Sequence, residues 1–225
     1  MKLFRLLFSI KKVPQVSWSS KDPFNLRPSL TTFVFLVFGL FLFGLGESFL
    51  IASGAGTAPW TVLAQGVSQH TSFSIGFSTF LISVMVLLVW IPLKQKPGMG
   101  TILNAIILAI VIDVSVPHLP NPDNYTFKII QVVIGVVIVG IGSGFYLVAN
   151  LGAGPRDGLM IGLQKKTNLP IVSIRTILET SAVAVGWLMG GVAGLGTAIF
   201  AFGIGPAVAL GLYLVGKIAK PMGKE

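Results

Sequence analysis

Residues 152–158 read Gly-Ala-Gly-Pro-Arg-Asp-Gly, and residues 54–60 read Gly-Ala-Gly-Thr-Ala-Pro-Trp. Both runs place glycines shortly before a proline and a stretch with helical character. Glycine lets the backbone turn sharply, and proline suits the first position of a helix. We therefore predict that short helices begin at Pro59 and at Pro155.

The two runs belong to an internal repeat that relates the halves of the chain. Between Gly39 and Thr101, positions recur 96 residues later without gaps. The matching residues are Gly39, Gly44, Gly46, Phe49, Gly56, Pro59, Leu63, Gly66, Thr71, Ile75, Gly98, Gly100 and Thr101, which recur as Gly135, Gly140, Gly142, Phe145, Gly152, Pro155, Leu159, Gly162, Thr167, Ile171, Gly194, Gly196 and Thr197. Glycine-rich segments match by chance more readily than others do. The constant offset and the matches at other residue types nevertheless favour a duplication.

The composition is that of a chain whose solvent is lipid. Of the 225 residues, 53% are hydrophobic and 10% are charged, whereas a soluble domain is about 25% charged. Six apolar runs are long enough to cross a bilayer, which takes roughly 20 residues in a helix. These runs are residues 30–52, 74–93, 101–119, 129–151, 171–190 and 197–218. We predict an all-α membrane protein with about six transmembrane helices.

Basic and non-basic connections alternate along the chain. Lysine and arginine cluster in residues 1–29, in the second connection at Lys94 and Lys96, in the fourth at Arg156, Lys165 and Lys166, and in the C-terminal tail. The other connections hold none apart from Lys128, at the edge of the fourth span. Because cytoplasmic loops carry the excess of lysine and arginine, both termini are predicted to be cytoplasmic.

This charge pattern agrees with an inverted duplication. Each unit holds three spans, an odd number, so the second unit enters the membrane from the opposite side. The predicted fold is two inverted three-helix repeats, at about residues 30–119 and 126–218, each with a short Gly/Pro-initiated helix in its first connection. A cytoplasmic tail, residues 1–29, precedes this membrane domain, with a basic amphipathic piece at 1–10 on the membrane surface. Residues 219–225 form the C-terminal tail.

Inverted repeats recur in transporters, where the substrate lies between the two halves. A helix start presents unpaired N–H groups and a partial positive charge. Two opposed starts that dip into the membrane would therefore line a site near its midplane. A surface turn before an interfacial helix fits the sequence equally well. On the first interpretation, the substrate-binding residues are Gly56, Pro59, Trp60, Gly154, Pro155, Arg156 and Asp157.

Arg156 and Asp157 differ in how well they suit a helix start. A carboxylate in the first turn is favourable with the helix dipole, which is a purely structural reason for Asp157. A cation is disfavoured there. We therefore expect a bound anion or a carboxylate partner at Arg156.

Ionisable groups inside the predicted spans are costly and are usually functional or paired. Arg175 and Glu179 lie one helical turn apart, on one face, so they can pair. None of the four candidates, which are Glu47, Asp113, Arg175 and Glu179, has a charged counterpart under the repeat. Coupling of transport to an ion or a proton would explain this asymmetry. An internal salt bridge with two capped carboxylates would explain it as well.

Three segments resemble a known family. Residues 44–63, the turn Gly98-Met99-Gly100-Thr101, and above all residues 152–160 are similar to the YczE/YitT-type family of bacterial integral membrane proteins. The resemblance covers roughly residues 30–215. It implies a location in the bacterial plasma (inner) membrane and a transport role, and it implies no particular substrate.

The residues argue against enzymatic activity and nucleic-acid binding. There is no nucleophile with a base and an orienting acid, no metal-ligand cluster and no phosphate-binding loop. Cysteine is absent, so zinc sites of the cysteine type and thiol catalysis are excluded. We expect no catalytic residue, metal or cofactor. Despite the net charge of +9, the basic residues flank apolar runs and form no basic helix with interleaved aromatics.

The favoured function is a small secondary transporter or permease for a small solute that is anionic or bears a carboxylate. Two alternatives stay open: a membrane-embedded substrate-capture subunit of a multi-component importer, and an accessory protein that assembles or anchors other membrane proteins. The expected partners are the lipid bilayer and a small-molecule substrate. The sequence leaves open a homo-oligomer or a partner within a transport complex.

The predicted orientation can be tested with single cysteines, because the native chain has none. Ser68→Cys and Asp123→Cys should react with a membrane-impermeant thiol reagent added to intact cells, since both lie in outer connections. Gln95→Cys and Gln164→Cys should react only after the cells are opened. External labelling of either glutamine position would contradict both the orientation and the inverted repeat.

Overall fold

The structure is a computed structural model and describes residues 13–219. This part of the chain folds into eight α-helices. They are α1 (Leu30–Ser53), α2 (Pro59–Gln69), α3 (Ile75–Trp90), α4 (Met99–Ser115), α5 (Tyr125–Ala149), α6 (Pro155–Thr167), α7 (Ile171–Leu188) and α8 (Leu195–Ile218). A short 3₁₀ turn, Val116–His118, extends α4.

Five of these helices are long and apolar enough to cross a membrane: α1, α4 with its 3₁₀ turn, α5, α7 and α8. This confirms the prediction of a helical membrane protein. The remaining predicted span, residues 74–93, corresponds to α3, a shorter helix of 16 residues. At 1.5 Å per residue it is about 24 Å long, less than the roughly 30 Å of a bilayer core. The chain turns at residues 91–94 instead of continuing the helix.

Local chemistry sets the ends of most helices. The Ser29, Ser74 and Asn124 side chains each accept a hydrogen bond from a backbone N–H in the first turn of α1, α3 and α5, as N-caps do. The short helices α2 and α6 begin at Pro59 and Pro155, which confirms the prediction from the Gly/Pro runs. Helices at corresponding places start 96 residues apart in three of four cases: α2 and α6, α3 and α7, α4 and α8.

The centre of the molecule is an antiparallel contact between α1 and α5. Gly39 faces Gly142, and Gly46 faces Gly135, at backbone contact. A Cβ atom on Gly46 would lie 2.6 Å from the Gly135 carbonyl oxygen, and one on Gly39 would lie 2.8 Å from the Gly142 carbonyl oxygen. Helix association in lipid depends on such close approach, because lipid removes the hydrophobic driving force. α5 also packs on α8, and α1 on α4.

Each half braces the other through its Gly-rich loop. The loop after α1 lies on the start of α8, where the Gly196 N–H donates to the Ala55 carbonyl at 2.8 Å. The loop after α5 lies on the start of α4, where the Gly100 N–H donates to the Leu151 carbonyl at 2.7 Å. Gly56 and Gly152 have φ of 115° and 110°, a backbone conformation that only glycine adopts readily.

The outer helices differ between the halves. α2 packs on α3 and α7, and α6 packs on α7 and α3. α3 also packs along α4, whereas α7 and α8 do not pack closely on each other over the described residues. As a result α7 buries only three residues, Ile174, Ala182 and Gly186.

Part of the predicted N-terminal tail is packed into the membrane domain. Val16 and Trp18 are buried in a core cluster with residues of α1, α5 and α8. The Thr32 hydroxyl donates to the Trp18 carbonyl at 2.5 Å, and the Asn150 amide donates to the Ser20 carbonyl at 2.8 Å. Residues 13–29 therefore include a packed segment. The amphipathic piece predicted at 1–10 and the end of the C-terminal tail, residues 220–225, lie outside the described residues.

The glycine contact between α1 and α5 predicts a sharp difference between two substitutions in helices. Gly46→Ala should destabilise the protein by about 1–3 kcal/mol, because its methyl group would overlap the backbone of α5. Gly205→Ala in α8 should change the stability by less than about 1 kcal/mol, since no atom of residues 13–219 lies within 4 Å of its added Cβ, and the helix propensity of alanine is offset by the restriction that Pro206 places on the residue before it. Thermal unfolding of the two variants in detergent measures the difference. Equal melting temperatures would contradict the central contact.

Candidate functional site

A cavity of about 300 Å³ lies where the two halves meet. Its walls come from the starts of α2 and α6 and from α1, α4, α5, α7 and α8. Phe43 of α1, Glu179 of α7 and Ile204 of α8 all line it, and each is near the middle of its helix. The volume is at the lower end of the range for small-molecule pockets, about 300–1,000 Å³.

The starts of α2 and α6 face each other across this cavity. The guanidinium carbon of Arg156 lies 5.6 Å from the centroid of the Trp60 ring, a cation–π arrangement. Trp60 and Arg156 are repeat-equivalent, as are Pro59 and Pro155, which also line the cavity. Of the predicted binding residues, the structure thus brings together Pro59, Trp60, Gly154, Pro155, Arg156 and Asp157.

Gly56 is the one predicted binding residue that lies elsewhere. A Cβ atom on Gly56 would be 2.7 Å from the Gly194 nitrogen and 2.8 Å from the Thr197 nitrogen. Gly56 does not line the cavity. Its contacts are those of the loop that braces the start of α8.

The α6 start is seated by contacts with three other helices. The Trp90 indole N–H of α3 donates to the Pro155 carbonyl at 3.0 Å. The Tyr146 hydroxyl of α5 donates to the Gly152 carbonyl at 3.2 Å. The Thr101 hydroxyl of α4 donates to the Ala153 carbonyl at 2.6 Å. These contacts determine where the side chains of residues 156 and 157 enter the cavity.

Polar groups surround Gly154 at the cavity wall. A Cβ atom on Gly154 would lie 3.2 Å from the Asp157 carboxylate and 3.2 Å from the Tyr146 hydroxyl. The Asn104 amide is within 4 Å of the same point. The absence of a side chain at Gly154 leaves room for these groups to share one space.

Arg156 and Asp157 line the cavity, and over residues 13–219 neither side chain has an ion-pair or hydrogen-bond partner. Over residues 13–219, the structure has one ion pair, and it joins Arg175 to Glu179. No side-chain hydrogen bond of the described residues involves Arg156 or Asp157, although both lie within electrostatic range of other charges. Their donors and acceptors are therefore open to the cavity.

The Arg175–Glu179 pair lies on α7 at the edge of the cavity. The Arg175 Nε donates to Glu179 Oε1 at 2.9 Å, as their spacing predicts. The arginine side chain is 49% exposed and the glutamate side chain 23%. Both residues line the cavity.

Glu47 is buried directly behind the start of α2. It is 1% exposed, and one carboxylate oxygen accepts the Thr61 hydroxyl at 2.8 Å. Among residues 13–219, its Oε1 has no hydrogen-bond partner, and neither has the Trp60 indole N–H. Glu47 does not line the cavity but holds α2 against α1.

Asp113 lies away from the cavity. One oxygen accepts the Ser74 hydroxyl at 2.5 Å, and the other accepts the Gly76 N–H at 2.8 Å. Asp113 thus caps the start of α3 and fastens it to the end of α4. Among the candidates for ion coupling, only Arg175 and Glu179 line the cavity.

Several lining residues escaped the sequence analysis, among them Tyr146, Asn104, Ser143 and Phe200. The internal repeat held a signal for some of them. Asn104 and Phe200 are repeat-equivalent, as are Leu108 and Ile204, and all four line the cavity. Neither the type of these residues nor their spacing marked them, because polar and aromatic residues are ordinary in membrane helices.

No group of three or more metal-ligating side chains occurs within the described residues. The cavity's chemistry is that of two cations, two carboxylates, hydroxyl and amide groups, and apolar walls. With five candidate spans around it, the molecule is a helical membrane protein with a small cavity between its helices that is lined by apolar and charged side chains.

Comparison with known proteins places the chain in a family. It belongs to the family described as "Family of unknown function (DUF6198)", whose pattern matches residues 30–212. It is 40% identical over 209 residues to an uncharacterised protein of Haemophilus influenzae, covering 93% of this chain and 95% of that protein. No solved structure matches it.

Two Bacillus subtilis proteins are also similar. The uncharacterised membrane protein YczE is 33% identical over 165 residues, covering 72% of this chain and 77% of YczE. The protein YyaS is 29% identical over 163 residues, covering 71% of this chain and 81% of YyaS. The resemblance to the YczE type, expected from the Gly/Pro segments, is confirmed.

The cavity can be tested by accessibility to a small thiol reagent. Asp157→Cys should react readily in detergent-purified protein, because residue 157 is exposed to the cavity. Ser78→Cys, a buried position with 0% exposure, should react far more slowly until the protein is unfolded. Mass spectrometry of the adduct measures both rates. Equal, slow reaction at both positions would mean that the cavity is closed to water.

Proposed function

We propose that the protein is a small secondary transporter of the bacterial plasma membrane that binds its solute in the central cavity. The observation that carries the proposal is the meeting of two opposed helix starts, at Trp60 and Arg156, beside unpaired charged groups in the interior of a membrane domain. Transporters use broken helices in this way, since helix starts bind anionic groups.

The proposal includes the inverted repeat. Three observations support it: the constant offset of 96 residues, the recurrence of helix starts at that offset, and the antiparallel crossing of the equivalent helices α1 and α5. Equivalent helices that run in opposite directions are what inversion requires. On this view residues 39–116 superpose on residues 135–212 after a rotation of about 180° around an axis in the membrane plane. The proposal also requires that α3 crosses the membrane together with residues 91–94, because only an even number of crossings places both termini on the same, cytoplasmic side.

The two halves differ at the seam between their last two helices, which is the α3–α4 contact in the first half and the space between α7 and α8 in the second. This difference supports alternating access. Ser74, Gly76 and Asp113 join α3 to α4, whereas their repeat equivalents are Pro170, Val172 and Ala209. Proline and the apolar side chains cannot make the same hydrogen bonds. With inverted halves, the α3–α4 seam is closed on the outer side while the α7–α8 seam is open on the cytoplasmic side. During transport the protein would alternate between this state and the reverse one, in which the α3–α4 seam is open and the α7–α8 seam is closed.

The ionisable groups of the cavity have separate roles in this proposal. Arg156 binds the anionic or carboxylate group of the solute, because its guanidinium is open to the cavity. Glu179 is the site of ion or proton coupling. A proton on its carboxylate would weaken the pair with Arg175, at 2.9 Å, and free that arginine. Glu47 and Asp113 support the site by holding α2 and α3 in place.

The experiment is uptake into proteoliposomes with a solute found by a thermal-shift ligand screen on purified protein. A bound ligand stabilises the folded state by mass action, so hits raise the melting temperature. Arg156→Ala should weaken binding about tenfold or more, the loss of a charge-assisted hydrogen bond. Glu179→Gln should spare binding and abolish uptake driven by a proton gradient. Lys165→Gln, an exposed position on α6, is the control.

Other results would decide against this function. Wild-type uptake by both variants would reduce the two charges to structural roles. An ATPase module that co-purifies from native membranes, together with inactivity of the purified protein alone, would favour a substrate-capture subunit. Binding and uptake of no solute at all would favour an accessory protein.

A further inference from the structure

The central cavity presents opposite charges that lie within electrostatic range of each other but form no direct ion pair over residues 13–219. Arg156 and Asp157 are consecutive residues, so on α6 their side chains leave the helix about 100° apart. Over residues 13–219 neither forms an ion pair, because the one pair present joins Arg175 to Glu179. A guanidinium has five donors and no acceptor, and a carboxylate accepts only. The cavity thus offers one site for an anionic group and a second for a cationic group.

We infer that the cavity binds a small zwitterion that carries a carboxylate and an ammonium group, with a short apolar body between or beside them. This inference rests on the proposed transport function and specifies its substrate class. The carboxylate lies at Arg156 and the start of α6, and the ammonium group lies at Asp157.

The balance of charge favours a zwitterion over a simple ion. The cavity is lined by two cationic and two anionic side chains, which are Arg156, Arg175, Asp157 and Glu179. A plain anion bound at Arg156 would be repelled by the neighbouring Asp157 carboxylate. A plain cation bound at Asp157 would likewise be repelled by the Arg156 guanidinium. A ligand that fills the cavity displaces water from these side chains, and charges that then remain unpaired are costly, whereas a ligand with both charges pairs each of them.

The anionic end has a prepared position. The Trp60 ring lies under the Arg156 guanidinium at 5.6 Å and holds it in place by one face, so the N–H groups around its edge stay free. Those N–H groups can bind a carboxylate through two parallel hydrogen bonds. The backbone N–H groups at the start of α6 favour the same negative charge.

The cationic end has acceptors grouped around Gly154. The Asp157 carboxylate and the Tyr146 hydroxyl each lie 3.2 Å from the point that a side chain of Gly154 would occupy. The Tyr146 proton is used toward the Gly152 carbonyl, so its oxygen is left to accept. An ammonium group has three donors. It can donate to the carboxylate and to the hydroxyl oxygen at once.

The remaining walls define the body of the ligand. Phe200, Ile204 and Val208 of α8 and Met160 of α6 contribute apolar surface to the cavity wall. A volume of about 300 Å³ is at the lower limit for small-molecule pockets. Together these limits describe an amino acid, either an α-amino acid with an apolar side chain or a short ω-amino acid.

The test compares matched ligands that differ in one charge. Purified full-length protein is screened by thermal shift against leucine, methionine, valine, β-alanine and 4-aminobutyrate. Each is compared with its N-acetyl derivative, which lacks the ammonium group, and with its amide, which lacks the carboxylate. At least one free amino acid should raise the melting temperature, and both of its blocked forms should bind about tenfold or more weakly.

Two substitutions assign each end of the ligand. The Arg156→Gln protein should bind the amide as tightly as it binds the free amino acid, because the ligand's carboxylate has lost its partner. Asp157→Asn should lose its preference for the free form over the N-acetyl form. Lys165→Gln and Asp123→Asn, both exposed positions, should keep the wild-type preferences. A variant that failed to fold would lose the binding of every compound. A changed preference between the free amino acid and its blocked forms therefore requires a folded variant.

The outcomes separate this inference from the transport function. If an N-acetyl or other purely anionic compound stabilises the protein equally well and is taken up by proteoliposomes, the zwitterion is overturned while transport stands. If free amino acids bind with the expected preferences but are not taken up, the ligand class stands and transport fails. If none of the three classes of compound shifts the melting temperature, the zwitterion is overturned.

Discussion

Backbone contact between glycines of α1 and α5 is the constraint on which the other features of the molecule depend. Gly39 faces Gly142, and Gly46 faces Gly135, so the contact is reciprocal: 142 and 135 are the positions that correspond to 46 and 39. The same reciprocity occurs at the interface of a twofold dimer, where one patch meets its own copy. In lipid, such close packing is a main source of helix association. Any side chain at these positions would separate the halves and open the space between them.

The cavity follows from this contact and from the two Gly-rich loops. Each loop leaves a long helix in a conformation with positive φ, at Gly56 or Gly152, and rests on the first residues of a helix in the other half. The next element, α2 or α6, then starts inside the molecule and points at its counterpart. The meeting of Trp60 with Arg156 is therefore a consequence of the braces. The polar site depends on backbone geometry that glycine alone can adopt without strain.

The two halves share a scaffold but differ in chemistry. Within residues 13–219, the four charged residues that line the cavity all come from the second half. At the corresponding places the first half has Trp60, Thr61, Thr79 and Ser83. The first half instead carries two carboxylates that hold its own helices together: Glu47 holds α2 against α1, and Asp113 joins α3 to α4. Function resides in such sites and not in the fold that presents them. Here the second half supplies the charges, and the first half supplies the Trp60 ring and the hydrogen-bonded α3–α4 contact.

The sequence by itself determined the class of protein, the approximate positions of the helices, the two helix starts at Pro59 and Pro155, and the 96-residue repeat. Hydropathy, capping and proline geometry act over a few residues, so they can be read locally. It overestimated α3, because an apolar run of residues 74–93 does not reveal that the helix turns away after Trp90. Only the tertiary structure decided that Arg156 lies over Trp60, that Asp113 caps a helix, that Tyr146 and Asn104 join the cavity, and that residues 16–20 pack against the helices. Each of these depends on how helices far apart in the chain are oriented. That orientation is set by packing between them, which local patterns do not encode.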